Sequence, residues 1–176
     1  KLGARIETRA FTNYAEQRIH ALGLDGKFPW IVMLDADERM TPDLATEIEQ
    51  RLRRDTMANV MFRVRRKDMF MGRWLRRSSG YPTWFARVFK RGKVRVEREI
   101  NETYEADGSV GHLDGHITHY PFNNGLDWWF ERHNRYSTME ARTLREEQRD
   151  HNLAVGDLIA RDPARRRAAL KGVAYR

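Results

Sequence analysis

The chain contains no cysteine, which removes disulfides and thiolate metal sites from consideration. It has no apolar run near the ~20 residues that a helix needs to cross a bilayer, so these residues contain no bilayer-spanning helix. Internal repeats, low-complexity tracts and a clear interdomain linker are also absent. What is present is globular material: 176 residues with 40% hydrophobic content, enough for one domain with a real core.

Charge is unevenly placed. The formal net charge is +8, yet between Arg63 and Arg98 thirteen Lys or Arg face two acids, a local excess of +11. From Arg161 to Arg176 six bases face one acid. Such fields attract anions: sugar diphosphates, anionic lipid headgroups, phosphorylated glycolipid or nucleic acid. Charge alone does not choose among them.

One stretch organises the rest. The apolar run Trp30-Ile31-Val32-Met33-Leu34 predicts a short strand covered on both faces. The run stops at Asp35, and Asp37 and Glu38 follow. Thr41 is a natural N-cap, with Pro42 at the first helical position, Asp43 in the first turn, and Leu44, Ile48 and Leu52 at helical spacing. Strand, acidic loop and helix place three carboxylates at a strand's C-terminal end, where open α/β sheets bind ligands. In an extended loop residues two apart point the same way, so Asp35 and Asp37 are expected to face one site across small Ala36. Paired carboxylates suit Mg²⁺ or Mn²⁺, which are held by a few such groups plus substrate phosphates. The plainer reading is an acidic loop that only caps the next helix.

Elsewhere the pattern alternates between helix and strand. Thr12-Asn13 precede a short amphipathic helix with Ala15, Ile19 and Leu22 on one face, ending near Gly23; Gln17 and Arg18 fall off that stripe. Val60, Phe62 and Val64 alternate with Met61, Arg63 and Arg65 as in a half-buried strand, which Lys67-Asp68 is expected to interrupt. Short extended pieces follow at Met69–Met71, Arg73–Leu75 and Trp84–Phe89, the last turning through Lys90-Arg91-Gly92-Lys93 into Val94 and Val96. Asp107-Gly108 marks a turn before a strand over Gly115–Tyr120. In a regular strand residues three apart oppose one another, so His116 and His119 are not expected to share a metal. A long helix follows Gly125, with Leu126, Trp129 or Phe130, His133, Tyr136 and Leu144 in its stripe, until Asp162-Pro163 breaks it.

Leu34-Asp35-Ala36-Asp37-Glu38-Arg39 followed by Thr41-Pro42 resembles the metal-binding Asp-x-Asp segment of family 2 inverting glycosyltransferases, in the bacterial lipopolysaccharide-core branch. Tyr14-Ala15-Glu16-Gln17-Arg18, Gly72-Arg73-Trp74-Leu75, Gly80-Tyr81-Pro82, Arg87-Val88-Phe89-Lys90-Arg91-Gly92, Ile100-Asn101-Glu102, Thr118-His119-Tyr120 and Asn134-Arg135-Tyr136 keep that branch's order. The resemblance implies an α/β fold of GT-A (Rossmann-related) type: a mixed sheet flanked by helices. Residues 1–141 would form a partial catalytic domain lacking a preceding strand-helix-strand unit, and residues 142–176 a basic helical extension.

It also implies roles. Asp37 would bind Mg²⁺ or Mn²⁺, with Asp35 touching the metal or a ribose and His119 a third ligand or diphosphate contact. Gln17 and Arg18 would border the donor nucleotide, and Glu102 would deprotonate the acceptor hydroxyl. In that branch a histidine usually precedes this glutamate, whereas Asn101 stands here. The donor would be a UDP-sugar, plausibly UDP-glucose, and the acceptor a glycolipid or lipopolysaccharide core. Aromatics Trp74, Tyr81 and Trp84 would stack on sugar rings or lie in the core. The protein would be cytoplasmic and peripheral on the anionic inner membrane, with no nucleic acid expected. The alternative from another class is a non-catalytic basic module that binds nucleic acid or anionic surfaces.

Overall fold

The computed structural model describes residues 3–54, 59–77, 80–97 and 103–150. Over these the chain is an α/β protein with one mixed, curled sheet, a small ribbon and three helices. In order the elements are α1 (Tyr14–Gly23), β1 (Trp30–Val32), β2 (Glu38–Met40), α2 (Pro42–Arg54), β3 (Asn59–Phe70) and β4 (Arg73–Trp74). Then come β5 (Trp84–Lys90), β6 (Val94–Glu97), β7 (Thr103–Ala106), β8 (Ser109–His119) and α3 (Leu126–Asp150). The main sheet runs β1-β5-β3-β8-β2, with β4 paired to β3, while β6 and β7 form a separate antiparallel ribbon. Among the described residues only the β3–β8 pairing is parallel.

The helix signals act as expected. Asn13 caps α1, its side chain accepting from the Glu16 amide at 2.8 Å. Thr41 Oγ1 accepts from the Leu44 amide at 3.3 Å, and Pro42 opens α2. Leu44 and Ile48 are buried, with Leu52 packed on the same cluster.

Three strand expectations are corrected. β1 is an edge strand paired only with β5, so Val32 and Leu34 are exposed rather than covered on both faces. β3 is covered on both faces: Phe62 and Val64 are buried, and so is Met61, which packs with Met33 and Phe89. β3 also continues through Lys67-Asp68, because parallel pairing with β8 sustains it to Asp68 and antiparallel pairing with β4 carries it to Phe70. It turns into β4 only at Met71-Gly72, both at positive φ (46° and 75°).

The sheet's curl follows from the chain path. β1 and β2 occupy opposite ends of the strand order, yet only residues 33–37 link them. In a flat sheet four inter-strand steps span about 19 Å. A fully extended chain from Val32 to Glu38 reaches about 20 Å, with nothing to spare. The linker is not extended, because the Glu38 amide donates to the Asp35 carbonyl at 2.9 Å and closes a turn. The sheet therefore rolls its edges towards each other.

Two hydrophobic clusters hold it. One joins Leu44 and Ile48 of α2 to Phe62, Val64, Val88, Leu113 and Ile117; the other sets Met33, Met61 and Phe89 against Ala21, Leu22 and the ribbon. The chain divides into two compact units, Lys1–Leu126 and Asp127–Arg176. In the second unit Trp129 and His133, one helical turn apart, stack at 3.8 Å. Among the described residues no helix is long and apolar enough to cross a membrane. The expected break at Asp162-Pro163 and the basic tail beyond it lie outside the described residues.

Candidate functional site

The linker between β1 and β2 carries Asp35-Ala36-Asp37, and its turn decides where the two carboxylates go. Because Asp35 to Glu38 form a turn, residues 35 and 37 do not share the side that an extended loop would give them. Asp35 is held by two guanidinium groups, Arg18 of α1 through Oδ1 and Arg87 of β5 through Oδ2, the latter at 3.0 Å. Asp37 instead faces His119 of β8, with Oδ2 at 3.4 Å from Nε2.

Arg87 owes its reach to a β-bulge. In the β3–β5 register Phe62 opposes Val88 and Arg63 opposes Ala86, leaving Arg87 without a partner position. Its side chain turns to Glu38 on β2, with Nε at 2.8 Å from Oε2 and Nη2 at 2.6 Å from Oε1. Both side chains are buried, at 7% and 0% exposure, so this is a desolvated bidentate pair. Burial works against the Arg87 charge, but the hydrogen bond to Glu38 and the nearby Glu38 and Asp35 carboxylates outweigh it and raise its pKa. Glu38 also accepts from the Asp35 amide at 3.1 Å, so the pair braces the acidic turn.

The second group is built on the parallel pairing. Asp68 of β3 lies beside His119 of β8 in register, and Asp68 Oδ1 is 2.7 Å from Nδ1. Burial disfavours charge on His119, yet its contacts with Asp37 and Asp68 prevail and raise its pKa above the ordinary histidine value. The Tyr120 amide donates to the Asp37 carbonyl at 2.8 Å, pinning the turn to the end of β8. Arg66 completes the group, with Nε at 3.0 Å from Asp68 Oδ1.

The donor set fits a divalent cation in part. Asp37 offers a carboxylate, which suits Mn²⁺ or Mg²⁺, and His119 an imidazole nitrogen, which favours Mn²⁺ over Mg²⁺, with substrate phosphates filling the remaining positions. An Asp68 carboxylate on the other ring nitrogen is the usual way a ligating histidine is oriented. Among the described residues no three His, Asp or Glu side chains are grouped to hold a metal unaided. Asp35, with each oxygen on a guanidinium, is positioned to order Arg18 and Arg87.

The other sequence candidates divide. Arg18 reaches the site through Asp35, whereas Gln17 donates back to the Ala10 carbonyl at 3.3 Å. Glu102 lies outside the described residues. Three participants, Arg66, Asp68 and Arg87, were not singled out from sequence. Arg87 sits in an ordinary-looking strand segment, and its role depends on the bulge. Asp68 carried a signal: apart from Glu97 it is the only acid among the thirteen bases of the Arg63–Arg98 stretch. No protein-family model matches the chain.

Proposed function

We propose that this chain carries the site of a metal-dependent inverting glycosyltransferase of GT-A type, moving a sugar from a nucleotide-diphosphate donor such as UDP-glucose to a glycolipid or lipopolysaccharide-core acceptor. One observation carries the reading: Asp68 orients His119 so that Nε2 meets Asp37, the residue that the resemblance makes the metal ligand. When bound, a divalent ion supplies charge neutralisation for the departing diphosphate.

The protein's own groups do the rest. Asp37 and His119 would hold the ion, and Arg18, presented by Asp35, offers a guanidinium to the donor diphosphate. Glu102, assigned by resemblance, takes the proton from the acceptor hydroxyl as its oxygen bonds to the anomeric carbon. The bond from that carbon to the diphosphate oxygen breaks on the opposite face, and the configuration inverts. A peripheral seat on an anionic membrane fits the basic surface.

Calorimetric titration of the purified protein with UDP, with and without Mn²⁺, tests the reading alongside transfer from UDP-glucose. Mn²⁺-dependent UDP binding that Asp37→Ala abolishes is the expected result. Binding that ignores both Mn²⁺ and Asp37 would overturn it.

A further inference from the structure

A second cluster of cations lies beyond the acidic turn, at the β4 end of β3. Arg65 is the register partner of Trp84 on β5 and of His116 on β8. Directly opposed residues share a face of the sheet, so these three stand together. Lys67, two residues on, places Nζ 4.4 Å from the ring centre of Trp74, and Arg76 places its guanidinium carbon 5.2 Å from the same centre. The Arg65 guanidinium lies 5.6 Å from the Trp84 ring centre.

The rings hold the cations and are not offered for stacking. Trp74 meets Tyr81 edge-on at 4.9 Å and Trp84 meets His112 edge-on at 4.7 Å, while the cations lie over the rings. That arrangement disfavours both a sugar-stacking platform and the base-stacking surface of a single-strand binder. No carboxylate among the described residues neutralises Arg65, Lys67 or Arg76. Two donors, Arg65 Nε and Trp74 Nε1, are buried with no hydrogen-bond partner. Buried donors without acceptors are costly.

We propose that Arg65, Lys67 and Arg76, steadied by Trp74 and Trp84, form a binding site for a phosphate monoester, separate from the Asp37–His119 site. A phosphate monoester matches the chemistry, with about two negative charges and three acceptor oxygens set against three cations. His116 is a neutral neighbour, since burial and then Lys67 and Arg65 lower its pKa. The phosphate site rests on the cluster alone and does not depend on the glycosyltransferase reading. Lys67 and Asp68 are consecutive in β3, so the cluster stands on the sheet face opposite the Asp68–His119 pair.

Calorimetry on the purified protein separates the possibilities, using glucose 6-phosphate, glucose, UDP with Mn²⁺ and an oligothymidylate as probes. Glucose 6-phosphate is expected to bind and glucose not, with Lys67→Met and Arg76→Gln each weakening the phosphosugar about tenfold or more. UDP binding should be unchanged in both variants, and circular dichroism spectra should match the parent. Equal phosphosugar binding by the variants overturns the site. Parallel loss of UDP assigns the cations to the donor and overturns a separate phosphate-monoester site. Tighter binding of oligothymidylate than of the phosphosugar assigns the cluster to nucleic acid and overturns it too. Failure of UDP to bind, with the phosphosugar result intact, strikes only the glycosyltransferase reading.

Discussion

Arg87 on β5 and Glu38 on β2 make a two-bond ion pair at 2.6 and 2.8 Å although two strands, β3 and β8, lie between theirs in the sheet. Only a rolled sheet brings them together, and the buried pair clasps it shut. Breaking one side leaves a charge buried without a counter-ion, at a cost of about 3–5 kcal/mol. Arg87→Met and Glu38→Gln should each lose about that much in urea denaturation. The double variant Arg87→Met/Glu38→Leu should recover most of it, since two apolar side chains bury no charge. A double variant no better than the singles would contradict this.

The Asp68–His119 contact predicts a pH dependence for the metal-free protein. His119 titrates higher in the folded chain than unfolded, so its contribution is full below about pH 6.5, the unfolded value. That contribution is lost as pH rises through the higher folded value. Asp68→Asn should therefore destabilise the protein most on the acid side of neutrality and progressively less on the alkaline side. Denaturation midpoints across that range check it; a penalty independent of pH would show that charge on His119 plays no part.

Arg18 separates binding from stability. Its pair with Asp35 is partly exposed, at 19% and 32%, and such pairs contribute about 1 kcal/mol or less. Arg18→Ala should barely move the thermal midpoint while weakening UDP affinity about tenfold through the lost diphosphate contact. A large fall in stability with unchanged UDP affinity would make Arg18 a structural residue.

Gly111 tests the packing of β8 on β3. A Cβ there would lie 2.6 Å from the ring of buried Phe62, closer than real contacts allow. Gly111→Ala should cost about 1–3 kcal/mol as Phe62 leaves its place. Gly92→Ala provides the contrast: nothing lies within 4 Å, and only the positive φ of 68° opposes the new side chain. Equal effects measured by denaturation would show that Phe62 yields freely.

Local chemistry was readable where it depends on neighbours in the chain. Asn13 and Thr41 cap their helices because a short oxygen-bearing side chain reaches an amide three residues on. The apolar spacing in α2 and the Arg91-Gly92 turn follow the same logic. The acidic turn was also legible as a site candidate, with Asp37 and His119 named from sequence and brought together in space.

What only the tertiary structure decided is which way each carboxylate turns. An extended Asp35-Ala36-Asp37 would aim both acids at one place, but the turn needed to carry the chain from β1 to β2 sends Asp35 to Arg87 and Asp37 to His119. Strand order is set by the global burial of Phe62, Val64, Val88, Leu113 and Ile117 beneath α2, and no local pattern encodes it. The parallel β3–β8 register that joins Asp68 to His119, and the bulge that frees Arg87, arise from pairings 19 to 51 residues apart in the chain. Sequence alone therefore determined the helices, the turns and the residues able to do chemistry; their partners were chosen by the curl of the sheet.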